Sequence, residues 1–190
     1  MKQLGDATGI SRRGVLRGAL LALLPGLPFA AAEQAWAATA KDPRRPVVDY
    51  LCDLVIPRTD TPGGAEAGAG AFVLLALDHG VGGLQPSVLE TVVRALDAEA
   101  GAPFVSLPRA RAEQLLAAFD VTAFQSRAND GSPAAAWRAL KPALVVGYYS
   151  TEAGASQELV FEPVPGPERR NFKLTPEYRA RSNEGFGGSL

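Results

Sequence analysis

Histidine and cysteine are nearly absent from this 190-residue chain, which contains one of each. So few ligands exclude a zinc site of the usual composition, which needs several His, Cys or acidic side chains together. A lone cysteine also excludes an internal disulfide, and the chain lacks the C-x-x-C-H spacing of covalent haem attachment. We expect Cys52, in an apolar helical segment, to be a buried small hydrophobic residue, with a disulfide to a partner chain as the alternative.

An excess of positive charge and a second long apolar run are missing as well. The 19 basic and 20 acidic residues give a net charge of −1, and without residues 1–40 the balance is 15 to 18. Such a balance does not favour nucleic-acid binding. Signatures of nucleotide loops and of the nucleophile elbow, G-x-G-x-x-G, G-K-[S/T] and G-x-S-x-G, do not occur. The glycine-rich segment 63–70 is therefore expected to be a flexible loop between helices.

What the sequence does contain is helical periodicity. Apolar positions predict helices over about 45–56, 69–79, 87–100, 108–120 and 132–149. Ser87 with Glu90 matches a capping box, Ser106 is a candidate cap for the fourth helix, and Ser132-Pro133 is typical of a helix start. Pro142 is expected to kink or split the last helix. We predict an all-α fold, a small irregular domain of about five helices over residues 41–155.

The last 35 residues, 156–190, have a different composition. One short strand is predicted at 158–161, and prolines, glycines and charges then interrupt any regular pattern. This extended tail cannot bury enough apolar surface to fold alone, so it either binds a partner or is disordered. Aromatic residues and prolines in and before it are the candidate partner contacts: Tyr148, Tyr149, Phe161, Pro163, Pro165, Phe172 and Tyr178.

The N-terminal segment contains an arginine pair directly before an apolar run over residues 18–32. Its order, Ser11-Arg12-Arg13-Gly14-Val15-Leu16-Arg17, resembles the twin-arginine export signal S-R-R-x-F-L-K, with Val15 in place of Phe and Arg17 in place of Lys. We predict that residues 1–40 are a twin-arginine signal peptide and that the protein is periplasmic. A general secretory signal is the alternative. Cleavage is expected after Ala32, Ala37 or Ala40, with the later two favoured.

Candidate catalytic groups are few. Asp49 and Asp53 are one helical turn apart on the polar side of their helix, where a solvated face is expected. His79 lies on the apolar face near the end of its helix, where packing or the helix dipole accounts for it. No nucleophile and orienting acid accompany it. We therefore expect no catalytic, cofactor-binding or metal-binding residues in this chain.

Three segments together resemble the gluconate 2-dehydrogenase subunit 3 family: I-P-R-T-D-T-P-G at 56–63, G-Y-Y-S-T-E-A-G at 147–154 and E-P-V-P-G at 162–166. The resemblance covers residues 45–170. It implies a non-catalytic small subunit that escorts an FAD-binding large subunit through the twin-arginine machinery. It further implies a partner cytochrome with c-type haems, and a complex attached peripherally to the inner membrane that oxidises a sugar or sugar acid.

Two other interpretations stay open at this point. The chain could be a stand-alone periplasmic helical binding protein unrelated to redox chemistry. Alternatively, it could be a small enzyme that uses Asp49, Asp53 or His79.

Overall fold

The computed structural model describes residues 29–127, 131–161, 175 and 178–182. These residues form seven α-helices: α1 Phe29–Thr39, α2 Arg45–Val55, α3 Gly64–Ala67, α4 Ala69–His79, α5 Pro86–Ala100, α6 Arg109–Gln125 and α7 Pro133–Tyr149. Short 3-10 turns lie at Val81–Gly83 and Phe104–Ser106, and a π-helical turn spans Ala153–Glu158. Strand β1, Val160–Phe161, pairs in parallel with β2, Arg181–Ser182. The all-α prediction is confirmed.

Helix α7 is at the centre of the domain, because it packs against α2, α4, α5 and α6. Its inner face places Trp137, Leu140, Leu144 and Tyr148 in the hydrophobic core. The predicted start is confirmed: the Ser132 hydroxyl accepts a hydrogen bond from the Ala135 amide at 3.2 Å. Proline in the first turn has no amide hydrogen to leave unpaired, so the chain enters the helix easily there.

Helix α7 is not split at Pro142, since it continues through this residue to Tyr149. A kink at Pro142 stays a prediction. Pro142 lies on the solvent-facing side of the helix. The packing of the opposite face against four other helices holds the segment helical despite the missing amide hydrogen.

Two predicted helix caps are wrong. Helix α5 begins at Pro86 and is preceded by Gln85, which makes no side-chain cap, so Ser87 lies inside the first turn. Proline has the φ angle of a helix, which favours a start two residues earlier than the capping box predicts. Helix α6 begins at Arg109, after Pro108. The Ser106 hydroxyl instead donates to the Pro103 carbonyl oxygen at 2.6 Å, within the preceding 3-10 turn.

The glycine-rich segment is not the flexible loop that we predicted. It forms α3 and the start of α4, and it packs closely against α2. A Cβ atom on Gly64 would lie 2.6 Å from the carbonyl oxygen of Cys52, and one on Gly70 would collide with the carboxylate of Asp49. Glycine is therefore required at Gly64 for the close approach of the helices, whereas a larger residue at Gly70 would displace the Asp49 carboxylate.

Helix α1 lies within the predicted signal peptide, yet it contacts the folded domain. Ala35 and Trp36 pack against Leu75 of α4. The hydroxyl of Thr39 is directed inward and donates to the carbonyl oxygen of Trp36 at 2.7 Å. The prediction of cleavage after Ala37 or Ala40 stays untested, and either cut would remove Trp36 from Leu75.

Within the described part of the chain, no single helix has both the length and the apolar character needed to cross a membrane. The pair formed by Ala69–His79 and Val81–Ala100 meets these criteria together, with a bend of 89° between its halves.

Candidate functional site

Two of the segments that carry the family resemblance meet at one place in the fold. The loop at 57–63 packs against the C-terminal end of α7 and the π-helical turn that follows it. We call the contact the Thr61 junction and define it by five residues: Thr61, Tyr148, Thr151, Gly154 and Glu158. The third segment, 162–166, lies outside the described residues.

Thr61 is the centre of this junction and is only 8% exposed. Its hydroxyl donates to Oε2 of Glu158 at 2.7 Å, across 97 residues of sequence. The hydroxyl of Tyr148 donates to the carbonyl oxygen of Pro62 at 3.1 Å. The loop's last turn is thus tied both to the C-terminal end of α7 and to the π-helical turn that follows it.

The turn after α7 is fixed by a second set of hydrogen bonds. The Thr151 hydroxyl donates to the carbonyl oxygen of Tyr148 at 2.7 Å and accepts from the Gly154 amide at 3.1 Å. A Cβ atom on Gly154 would collide with that same carbonyl oxygen, so the turn requires glycine. This tight reversal brings Glu158 back to Thr61.

The structure corrects the assignment of Tyr148 as a partner contact. Its side chain is 1% exposed and belongs to the chain's own core. The adjacent Tyr149 stays exposed and packs edge-on against Tyr148, with ring centroids 5.3 Å apart. Burial, followed by the nearby Glu158 carboxylate and Tyr148, raises the pKa of Tyr149 above its ordinary value. Contact between Tyr149 and a partner stays a prediction.

Other predicted contact residues divide into two groups. Tyr178 is described and exposed. The backbone of Phe161 pairs with Ser182, but its side chain lies outside the described part of the chain, as do Pro163, Pro165 and Phe172. The residues of the predicted export signal also lie outside it: Ser11, Arg12, Arg13, Leu16 and Arg17.

Asp49 and Asp53, which we placed on a solvated face, are both half-buried. Both carboxylate oxygens of Asp49 accept from Nε of Arg45 at 2.7 Å. Burial nevertheless raises the pKa of Asp49, against the effect of this ion pair. Asp53 accepts from the Ala65 amide at 2.9 Å and so caps α3. Each carboxylate therefore has a structural role that its sequence neighbours did not reveal.

His79 and Cys52 have contrasting environments. His79 was expected on an apolar face, but it is exposed at the end of α4, beside a shallow hollow that Asp42 and Asp78 also line. Cys52 is fully buried, which confirms its assignment as a core residue. Burial, with a smaller effect from Asp49 and Asp53, raises the pKa of its thiol to about 12.

Among the described residues, no three His, Cys, Asp or Glu side chains are grouped as metal ligands.

Chemically, the junction is suited to holding backbone segments together. Its hydroxyl groups donate to a carboxylate or to carbonyl oxygens, and these bonds fix the loop against the π-helical turn. Sequence reasoning missed Glu158, which we had assigned to a short strand and the tail. No local pattern identifies it, because its partner is remote in sequence.

The Thr61–Glu158 contact can be tested by a double-mutant cycle. Thr61→Val keeps the shape of the side chain but removes the donor, and hydrogen bonds to charged groups contribute about 1.5–3 kcal/mol. Because Glu158 is only partly buried, we expect a loss of about 1.5 kcal/mol in the free energy of unfolding, measured by urea denaturation. Combining Thr61→Val with Glu158→Gln should give a coupling energy above about 0.5 kcal/mol.

Thr122→Val is the matched control, since Thr122 is exposed on α6 and its hydroxyl donates to the Ala118 carbonyl oxygen of the same helix. It should change stability by less than about 0.5 kcal/mol. Strict additivity of Thr61→Val and Glu158→Gln would contradict a direct interaction.

The fold and the junction together define a small all-α domain whose family-specific segments hold its C-terminal part in place. The family model described as gluconate 2-dehydrogenase subunit 3 matches residues 42–166, and the chain belongs to this family. No curated protein and no solved structure matches the chain.

Proposed function

We propose that this protein is the non-catalytic small subunit of a periplasmic, membrane-associated, FAD-dependent dehydrogenase of the gluconate type. In this role its signal exports the FAD-binding large subunit, and its helical domain supports assembly of the complex. The observation that carries the proposal is the family match over residues 42–166, because the family is defined as a subunit of a dehydrogenase.

The structural roles of residues in the segments that resemble the family support an accessory role. Thr61, Tyr148 and Thr151 each form hydrogen bonds that hold the chain's own backbone or side chains in place. Asp49 and Asp53, the carboxylates considered for acid–base work, are engaged by Arg45 and by the Ala65 amide. A scaffold with a fixed C-terminal segment is what a binding subunit needs.

We assign FAD to the large subunit because this chain's glycine-rich segment does not fit a flavin diphosphate. The start of α3 is occupied by the Asp53 carboxylate, which accepts from the Ala65 amide. A phosphate would compete for that amide and would be repelled by the carboxylate. Haem of the c type would belong to a partner cytochrome that accepts the electrons, and the complex would sit peripherally on the inner membrane.

Co-purification from a periplasmic extract tests the proposal directly. A tagged copy of this chain should retain a large subunit that shows flavin absorbance at a near-stoichiometric ratio, together with sugar or sugar-acid dehydrogenase activity. The same chain expressed alone should show neither flavin absorbance nor activity. Stoichiometric flavin in the lone chain, or turnover of a sugar by it, would reject the accessory role.

A further inference from the structure

Helix α1 contributes to the packing of the domain although it lies in the predicted signal peptide. Leu75 of α4 is 6% exposed. In its hydrophobic cluster, the described residues that pack against it are Ala35 and Trp36 of α1. This cluster is separate from the main core around α7. The burial of Leu75 therefore depends on α1, and removal of Trp36 would return apolar surface of α4 to water.

The segment that joins α1 to α2 is held in a compact turn. Thr39 is 5% exposed. Its hydroxyl donates to the Trp36 carbonyl oxygen at 2.7 Å. Arg44 forms ion pairs with Asp42 at 2.6 Å and with Asp78, near the end of α4, at 2.9 Å. The turn is thus tied both to α1 and to α4.

Two of the three predicted cleavage points lie inside this packed structure. The carbonyl oxygen of Ala37 accepts a hydrogen bond from the Ala40 amide at 3.3 Å. The amide of Lys41 donates to the Ala38 carbonyl oxygen at 3.1 Å. The peptide groups that follow Ala37 and Ala40 are therefore both engaged in backbone hydrogen bonds at the end of α1 and in the turn after it.

The pattern that a signal peptidase recognises favours an extended chain. Export signals end in an A-x-A-like pattern, in which two small residues are two positions apart. Residues at this spacing share one face of an extended segment, whereas in a helix they point roughly 200° apart. Cleavage after Ala37 or Ala40 would therefore require α1 and its turn to be lifted from α4. Under the proposed export of folded cargo, the peptidase meets the domain with these contacts in place.

The third cleavage point, after Ala32, lies before the contact of α1 with Leu75. Ala30-Ala31-Ala32 ends the apolar run over residues 18–32 and falls in the first turn of α1, Phe29–Thr39. The first amides of a helix have no acceptor within that helix, and helix ends fray. The chain can therefore be extended through Ala32 while Trp36 stays packed against Leu75.

From this arrangement we propose that the signal is cleaved after Ala32 and that residues 33–39 remain in the mature protein as its first helix. Hydrolysis of the Ala32–Glu33 peptide bond takes up one water molecule. It leaves a carboxylate on Ala32 and a new amino terminus on Glu33. The inference rests on the proposed function for export of the folded chain. It adds the processing site and moves the start of the mature domain from residue 41 to residue 33.

The N-terminus of the mature protein tests the proposal. The full-length chain with a C-terminal tag is purified from a periplasmic extract and analysed by N-terminal sequencing and mass spectrometry. We expect the mature chain to begin at Glu33. Ala32→Leu should lose this mature form, because a large side chain replaces the small residue before the cut. Ala37→Leu is the matched control, since Ala37 is exposed on the same helix, and it should be processed like the wild type.

Trp36 provides a second, independent measurement on the purified periplasmic protein. If α1 is retained, Trp36→Ala should lower the midpoint of thermal unfolding by at least about 2 °C, because Leu75 loses its cover. Gln34→Ala is the control, since Gln34 is exposed on α1, and it should leave the midpoint unchanged. A mature protein cleaved after Ala37 or Ala40 would lack both residues, so neither substitution could alter its stability.

The outcomes separate this inference from the proposed function. A mature chain that begins at Ala38, at Lys41 or at any residue other than Glu33 would overturn the inference and leave the proposed function standing. An uncleaved chain in the periplasm, or normal processing of Ala32→Leu, would do the same. An unchanged midpoint in Trp36→Ala would overturn the retention of α1 as a packed helix. A wild-type chain that stays in the cytoplasm would reject the proposed export role and the inference together.

Discussion

Replacing Arg12 and Arg13 together with lysine should leave both this chain and the proposed large subunit in the cytoplasm. The twin-arginine route carries folded cargo and recognises the arginine pair itself, so the loss of export should be nearly complete even though the positive charge is preserved. The measurement is fractionation of cells followed by detection of both subunits and of flavin in the periplasmic extract. Dehydrogenase activity should disappear from the periplasm in parallel.

Arg17→Lys is the matched control for this experiment. It changes an arginine of the same segment to the residue usual in the S-R-R-x-F-L-K pattern, so export should be normal. Periplasmic accumulation of the Arg12→Lys, Arg13→Lys chain at the wild-type level would reject the twin-arginine assignment and favour a general secretory signal. Retention of this chain with normal export of the large subunit would instead reject the escort role.

Replacing Trp137 with alanine is expected to lower the free energy of unfolding by about 3–5 kcal/mol, as for other fully buried tryptophans. Trp137 is 1% exposed and packs against Phe119, with ring centroids 6.1 Å apart. The loss would be a large fraction of the roughly 5–15 kcal/mol that stabilises a typical domain. Urea denaturation followed by circular dichroism measures it, and a loss below about 1 kcal/mol would contradict a central role for this residue.

Trp137→Phe separates the packing of the ring from its hydrogen bond. Nε1 of Trp137 donates to Oδ1 of Asp120 at 2.6 Å, an oxygen that also pairs with Lys141. Because phenylalanine keeps much of the ring contact, we expect a loss of about 1.5–3 kcal/mol, as for a hydrogen bond to a charged group.

The same variant should alter stability in acid. Burial disfavours the ionised form of Asp120, but the hydrogen bonds from Lys141 and Trp137 outweigh this effect and lower its pKa. The stabilisation contributed by the ionised Asp120 carboxylate is therefore complete above its unfolded pKa of about 3.9. It is lost as the pH falls through the lower pKa of the folded state. Trp137→Phe removes one of the hydrogen-bond donors to Asp120. As the pH is lowered through this range, the free energy of unfolding of the variant should therefore fall by less than that of the wild type.

Local sequence signals located several helices correctly. The predicted 45–56 and 69–79 segments correspond to α2 and α4, which end at Val55 and His79. Gly101 ends α5 in the left-handed conformation, as a C-terminal glycine commonly does. The Ser132 cap and the Tyr149 end of α7 were also predicted. The predicted caps at Ser87 and Ser106 were wrong, because a nearby proline with its fixed φ angle marks the start of each helix. Helix α5 begins at Pro86 and α6 directly after Pro108.

Contacts between distant segments explain what the sequence did not reveal. The glycine-rich stretch looked flexible because its composition is typical of loops. Gly64 and Gly70 are instead small so that α3 and α4 can pack against Cys52 and Asp49 of α2. Tyr148 looked like an interface anchor because it adjoins the tail, but it enters the core and binds the Pro62 carbonyl oxygen.

The sequence alone determined the helical class, the family resemblance and the export prediction, because periodicity, helix ends and motifs are properties of short segments. The tertiary structure decided which surfaces are buried. Glu158 reaches Thr61 across 97 residues, a distance that no local pattern spans. Helix α7 is apolar on nearly every side, so its periodicity could not indicate which side faces the core. Packing against α2, α4, α5 and α6 buries one face and leaves Val146 and Tyr149 exposed on the other.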